Sequence, residues 1–515
     1  MKKIYILLAV LTLTAVSCKK DFIDLLPEDT SSPGSFYQND KQLQAAALAI
    51  YVPMRDVLVN DYFASEMHAD NTHYQPSPSV RGTAYDYRES TADWNNNANN
   101  DYVNAVYIHC YTGISRANIL IGRIPNAKDA TDAGKGSAEG QAKFLRALYY
   151  FKLVRLFGGV PLHLTEVTKA DEAFLPRSSA QQIYDQIIAD AQDAIKLLPP
   201  PKMPVQTGEA TKGAATVLLA DVFVTLKRYA EAEILLNTLP AMGYGLILDS
   251  YAKVFNPANK NGIESVFDVQ YLAIEGSTNQ PNALPFQFLP RTTNTTKLTG
   301  AANVNTTSSG GWNRPGQDLI DAYEPNDKRL NLSIGIAEGT YDGNYWLNVT
   351  DAKSVVGYLP PAGKVGQAYI KKYLYPSAVA GATSSNWPIY RYAEALLLLA
   401  EALNEQGKSP LIPLNAVRSR AGLGDISSSD KDALRDIIFR ERRVELAFEN
   451  KRFHDLQRNP KGLAIMEAYA KKAKLTYPLL SPASFDIQAF KFLHPIPQSE
   501  RGLNPALTQN PGYTF

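Results

Sequence analysis

In DYVNAVYIHCYTGISRANILI (101–121), apolar residues recur at spacings of four and three: Val103, Tyr107, Cys110, Ile114, Ala117 and Ile121. That rhythm puts one stripe on a helix and makes Cys110 a buried small hydrophobe. EGQAKFLRALYYFKLVRLFGGVPL repeats the pattern and closes on Gly158, Gly159 and Pro161, which predicts a helix stop there. SAQQIYDQIIADAQDAIKLLP gives a third helix, capped by Ser179 and ended by Pro199. TKGAATVLLADVFVTLKRYAEAEILLNTL (211–239) reads as two helices broken near Lys227 and Arg228, with Ala, Leu and Tyr placed as in a tetratricopeptide hairpin. IYRYAEALLLLAEALNEQGKSPLIPLNAVRSRAGL (389–423) has the same layout. The units are not consecutive, so hairpins must stack across long insertions.

Between roughly 262 and 387 the texture changes. ESVFDVQYL alternates as a strand, and TTNTTKLTGAANVNTTSSGGWNRPG is a polar, Thr-, Asn- and Gly-rich excursion ending at Trp312. Long loops on a rigid scaffold are where binding residues collect. The expected organisation is a signal segment over 1–17, a tether over 18–38, a helical region over 39–250, and a C-terminal region over 251–515 that contains the loop-rich stretch 262–387.

Charge narrows the function. Lys plus Arg number 52 and Asp plus Glu 51, which leaves no excess of basic charge for nucleic acid. MKKIYILLAVLTLTAVSC opens with a basic pair and an apolar run too short to span a bilayer, then places small residues just before Cys18. This resembles a bacterial lipobox, in which the cysteine is acylated and becomes the mature N-terminus; Ala15 stands where Leu is usual. Cys110 is the one other cysteine, so an acylated Cys18 rules out a disulfide and core burial must hold the fold.

Candidate chemistry starts with ERRVELAFENKRFHDLQR (441–458). On a helical wheel Leu434, Ile437, Ile438, Val444 and Phe448 form one stripe that contains Glu441 and Glu445, with Arg443 opposite. Carboxylates on an apolar stripe need cationic partners, for which Arg391, Arg418 and Arg420 are available. A glycosidase pair must flank its sugar from opposite sides, whereas residues four apart on a helix project the same way. The two glutamates are therefore expected in structural ion pairs. EMHADNTHY brings His68, Asp70 and His73 together; the composition suits a loop beside a ligand better than a metal. His454 and Asp455 take a helix-terminal structural role. GKGSAEG (134–140) lacks the Lys and Ser/Thr ending of a phosphate loop and reads as a linker. No GxSxG, HxH or HExxH is present, and nothing in the sequence calls for a cofactor or a metal.

Six segments, in order, carry a resemblance: SCKKDFIDLLP, AKFLRALYYFKLVRLFGGVPL, RPGQDLIDAYEPNDKRL, RYAEALLLLAEALNE with LNAVRSRAGL, FRERRVELAFENKRFHDLQR, and LHPIPQSERGLNPALTQNPGY. Together they resemble the SusD/RagB family of outer-membrane nutrient-binding lipoproteins. The resemblance implies a mainly α fold, with tetratricopeptide-type hairpins in a right-handed superhelix and a loop-rich, partly β ligand-binding region. It implies a non-enzymatic protein on the cell exterior that holds an oligosaccharide, or in RagB-like branches a peptide, for a partner TonB-dependent transporter. Lys19, Lys20 and Asp21 partly resemble the charges that direct such lipoproteins to the surface.

A sugar offers one apolar C–H face and a rim of hydroxyls, so an aromatic ring with nearby amides or charges suits it. YDYRESTADWNNNANND supplies Trp94 with Tyr85, Tyr87, Asn95 and Asn96; Trp312 has Arg314 beside it, and Tyr345 adjoins Trp346. These nine residues are the expected ligand contacts. Trp387, before Pro388, is expected to start a core helix.

Overall fold

A computed structural model describes residues 36–78, 81–276 and 280–513. The signal segment, Cys18 and most of the tether lie outside the described residues. The chain is mostly helical. Long helices are α1 (Asp40–Tyr51), α2 (Pro53–Asp61), α3 (Thr83–Ala92), α4 (Asp101–Arg123), α5 (Asp132–Phe157), α6 (Ala180–Leu197), α7 (Lys212–Thr225) and α8 (Tyr229–Leu236). After the loop-rich stretch come α9 (Tyr392–Glu405), α10 (Leu411–Arg420), α11 (Lys431–Glu445), α12 (Arg452–Arg458) and α13 (Gly462–Thr476). Each of α4 to α8 packs on the next, and α8 then packs on α9 across the 155-residue interval between Leu236 and Tyr392. The tetratricopeptide-type stack is thus continuous in space though interrupted in sequence.

Local chemistry explains the helix ends. Ser179 Oγ accepts from the Gln182 amide, and the Gln182 side chain returns the bond to the Ser179 amide. Lys227 sits at φ 58° between α7 and α8, where the sequence breaks the pattern. Helix α7 is buried from Gly213 to Val224, as its unbroken apolar run requires. Gly113 is the contact point of α4 and α5: a Cβ there would lie 2.1 Å from Tyr149 Cε2.

Two expectations change. GKGSAEG is helix rather than linker, because Thr131 caps the Gly134 amide and starts α5 at Asp132. Its glycine leaves space for a neighbour, since a Cβ on Gly134 would meet the Asp40 carboxylate. Trp387 lies not in a helix but in a strand, Trp387–Arg391, and the helix begins at Tyr392.

The strands are short. They are β1 (Thr72–His73), β2 (Ser265–Val269), β3 (Arg314–Pro315), β4 (Ile334–Tyr341), β5 (Leu347–Ser354), β6 (Val365–Ile370) and β7 (Trp387–Arg391). They pair antiparallel as β1–β3, β2–β7 and a three-stranded sheet in the order β5–β4–β6.

The acidic cluster of α11 forms the charged centre of the core. Arg329 donates to Glu441 at 2.6 Å and to Glu445 at 2.9 Å. Arg391 and Arg420 both pair with Glu445 and share Glu264, while Arg418 donates to Glu441 at 3.1 Å. Lys372 and Arg391 hold Glu449, and Asp327 holds Arg329. Burial alone would raise the Glu445 carboxyl, but the Arg420, Arg391 and Arg329 guanidiniums outweigh it and hold the group well below the usual carboxylate range. Helix α11 ends at Glu445, short of the predicted stripe, and Phe448 and Asn450 adopt left-handed φ of 68° and 58°. Their amides donate to the Glu66 carboxylate at 3.1 and 3.0 Å. Arg443, expected on the outer side, donates instead to Asn71 Oδ1 and the Asp70 carbonyl.

Candidate functional site

The sequence-predicted ligand residues divide into an interior group and a surface group. Trp94 sits at φ 58° just past α3 and is fully buried. His68 stacks on it at 4.2 Å, and Phe492 and Phe453 pack edge-on against it. Trp312 is buried too, between Phe63 and Tyr85, with the Arg88 and Arg291 guanidiniums 5.1 and 5.4 Å from its ring. Neither indole offers a free face for a sugar. The polar neighbours that suggested exposure belong to loops folded over these rings, whose large apolar area makes burial the stable outcome. Asn95 is exposed, and Asn96 donates to His494 Nδ1 at 3.2 Å. Tyr87 lies apart, lining a shallow depression with Asn99, Asp101 and His109.

Tyr85, Trp312, Tyr345 and Trp346 do converge, through a residue the sequence reading missed. The Gln75 amide donates to the Gly311 carbonyl at 2.7 Å, beside Trp312. Its Oε1 accepts from the Arg291 amide at 2.8 Å and from Gln367 Nε2 at 3.1 Å, and its Nε2 donates to the Tyr345 carbonyl. Through its backbone and side chain together, one residue therefore ties the Trp312 loop, Arg291, β6 and the β4–β5 turn. The turn itself is shaped by Asp342, whose Oδ1 accepts from the Asn344 and Trp346 amides, with Tyr345 at φ 60°. Tyr341 and Tyr345 stand on it as a pair, ring centroids 6.1 Å apart and tilted by 37°. They are 38% and 36% exposed, so part of each residue stays open to solvent. Tyr341 is fixed by donating from Oη to Gln367 Oε1 at 2.7 Å.

Below the Tyr85 ring, 5.2 Å away, lies the fully buried Arg291. Its Nε donates to the Gly310 carbonyl, while Nη1 and Nη2 have no hydrogen-bond partner among the described residues. Burial lowers its pKa, and the aromatic rings around it supply cation–π contact in place of an acid.

A cleft of about 400 Å³ opens between the β1–β3 ladder and the three-stranded sheet. His73 and Arg314 face one another across the ladder, Ile336, Gly366 and Ala368 form the far wall, and Tyr358 and Tyr477 complete it. His73 stacks on Tyr477 at 3.8 Å and donates from Nε2 to Asp93 Oδ1 at 2.8 Å. Asp93 also accepts from the Tyr74 and Ser484 hydroxyls. Among the described residues no carboxylate lines this space, and Glu338 on the sheet is taken by Lys364 at 2.8 Å and by the Tyr358 hydroxyl. His68, Asp70 and His73 go to separate partners, namely Trp94, Arg452 and Asp93. Gln75, Tyr341, Tyr358 and Arg291 carry no motif, and only their partners in space mark them.

Comparison with known families decides the fold's affiliation. A family described as "SusD family" matches residues 263–513, and one described as "Starch-binding associating with outer membrane" matches residues 21–224. The chain belongs to the SusD family. Among SusD-like relatives, protein P2 of Formosa agariphila is 28% identical over the full length of both chains. A SusD-like crystal structure from Bacteroides fragilis superposes with a TM-score of 0.71 at 25% identity, covering 93% of this chain and 98% of that one. A structure described as a laminarin-binding SusD-like protein gives the same score at 24% identity, over 93% of this chain and all of that one. At that identity the likeness speaks for the SusD fold alone.

Proposed function

We propose that this SusD-family chain is a non-catalytic capture protein for an oligosaccharide. The observation that carries the reading is the exposed Tyr341–Tyr345 pair, set on a hydrogen-bonded turn, with the Arg314 charge near enough to act on Tyr341. The pair provides apolar ring faces for the C–H side of a sugar, and Arg314, Tyr358 and Gln317 provide groups for its hydroxyl rim. A matching family described as starch-binding with outer-membrane association supports the glycan class. In the same reading Cys18 is acylated, the body faces the cell exterior from the outer membrane, and a TonB-dependent transporter takes the captured ligand. No described helix is long and apolar enough to cross a membrane.

The test is a binding panel of neutral and charged oligosaccharides and of oligopeptides, measured by titration calorimetry on the mature protein. Tyr341→Ala and Tyr345→Ala should each weaken glycan binding about tenfold, the loss of about 1.4 kcal/mol of stacking. Binding of peptides alone would replace this reading with a RagB-like peptide binder. Glycan binding untouched by both substitutions would place the site elsewhere.

A further inference from the structure

Arg314 and His73 are directly opposed residues of an antiparallel pair, and such residues share one face of the ladder. Both line the 400 Å³ cleft, a volume inside the range of about 300–1,000 Å³ typical of small-molecule sites. Three facts distinguish this place from an ordinary surface groove. First, the Asp93 carboxylate at His73 Nε2 accepts only, so the neutral ring carries its proton on Nε2. Nδ1 is then a bare acceptor, buried and without a partner among the described residues. Second, half-buried Arg314 forms no ion pair among the described residues. Third, the acids nearby are already engaged. Asp93 holds His73, Tyr74 and Ser484; Asp318 holds Lys472 at 3.0 Å; Glu338 holds Lys364. Arg314 and Asp318 both act on the Tyr477 hydroxyl, so the unpaired cation and the cleft's aromatic wall belong to one place.

A partly desolvated guanidinium with no acid, opposite an unused acceptor, fits a ligand that brings both an anion and a hydroxyl. We infer that this cleft is a subsite for an anionic sugar, whose carboxylate or sulfate ester sits on Arg314 while a ring hydroxyl donates to His73 Nδ1. Tyr358 and Tyr477 provide the walls against which the ring lies. The inference rests on the glycan-capture reading and adds the chemical class of the glycan.

Titration calorimetry with three matched sets of oligosaccharides separates the possibilities: neutral laminarin oligomers, polyuronate oligomers, and sulfated galactan oligomers. The intact protein should bind one of the two anionic sets at least tenfold more tightly than the neutral set, and which one identifies the anion. Arg314→Gln should erase that preference while leaving the melting temperature unchanged, and Arg314→Lys should restore part of it. The preference should also shrink between 50 and 500 mM NaCl. Equal or tighter binding of neutral oligomers would overturn the inference and leave glycan capture standing. An anionic preference that survives Arg314→Gln would overturn it as well. Absence of binding to all three sets would bring down both.

Discussion

Glu445 accepts from Arg329, Arg391 and Arg420, and none of these groups reaches water. Removing one member of a buried pair leaves its partners charged and dry, at a cost of about 3–5 kcal/mol. Glu445→Ala should therefore lower stability in urea by about that amount, with ligand affinity per folded molecule unchanged. The same groups set the acid limit. Glu445, Glu449, Asp455 and Asp70 are raised by burial but lowered further by the cations beside them. In the unfolded chain such carboxyls take up protons near pH 4, in the folded chain only at lower pH. The unfolded state then binds more protons, so stability present above about pH 4.5 is lost as pH falls below it. Far-UV circular dichroism from pH 6 to pH 2 should show that loss. At this scale the sequence was legible where geometry forced one answer. Two carboxylates on an apolar stripe had to find arginines, and Arg391, Arg418 and Arg420 could all be named. Arg329 could not: it sits in the short helix Lys328–Ser333, far back in the chain, and shares no period with α11. Trp94 and Trp312 misled because polar neighbours in sequence say nothing about what folds across a ring.

Elements were read more securely than side chains. The breaks at Gly158, Pro199 and Lys227 all mark real helix ends, because each acts through local backbone preference. GKGSAEG failed for the converse reason: its glycines oppose helix locally, while the Thr131 cap and the packing of α5 on α1 and α4 favour it. The α4–α5 crossing gives an element-scale prediction. Gly113→Leu would drive a side chain into the Tyr149 ring and should destabilise the protein by about 1–3 kcal/mol, read as a lower urea midpoint. Cys110, on the same helix, is buried, and burial pushes its thiol up. It should resist a thiol reagent in the native protein and react once denaturant opens the helix stack.

Across the whole molecule, early and late segments lock together. Arg452 donates to Asp70 at 2.7 Å, Asn450 Nδ2 to Asp61 at 3.0 Å, and His494 Nε2 to the Ala64 carbonyl at 3.0 Å. Burial holds the Glu66 carboxyl up at about 7, against the lowering effect of amide donation from Asn71, Phe448 and Asn450 and of the Lys372 charge. We propose from these ties that residues 39–250 and 251–515 are regions of one cooperative unit. The intact chain should unfold in a single transition by near- and far-UV signals alike, whereas a fragment ending at 250 should fail to reach a native near-UV spectrum. No periodicity in the sequence could report such contacts, because they join positions 382 to 430 residues apart.

In the central cluster Glu264, Asp327, Glu441, Glu445 and Glu449 face Arg329, Lys372, Arg391, Arg418 and Arg420, one cation for each carboxylate. Such a set is hard to edit one letter at a time, since any single exchange strands a charge that only a second, simultaneous exchange could cancel. The Tyr341–Tyr345 turn holds no member of it. Random mutagenesis should therefore yield folded variants with altered ligand preference from that turn readily, and from the cluster only as compensated pairs: a scaffold that resists drift carries a recognition surface free to explore.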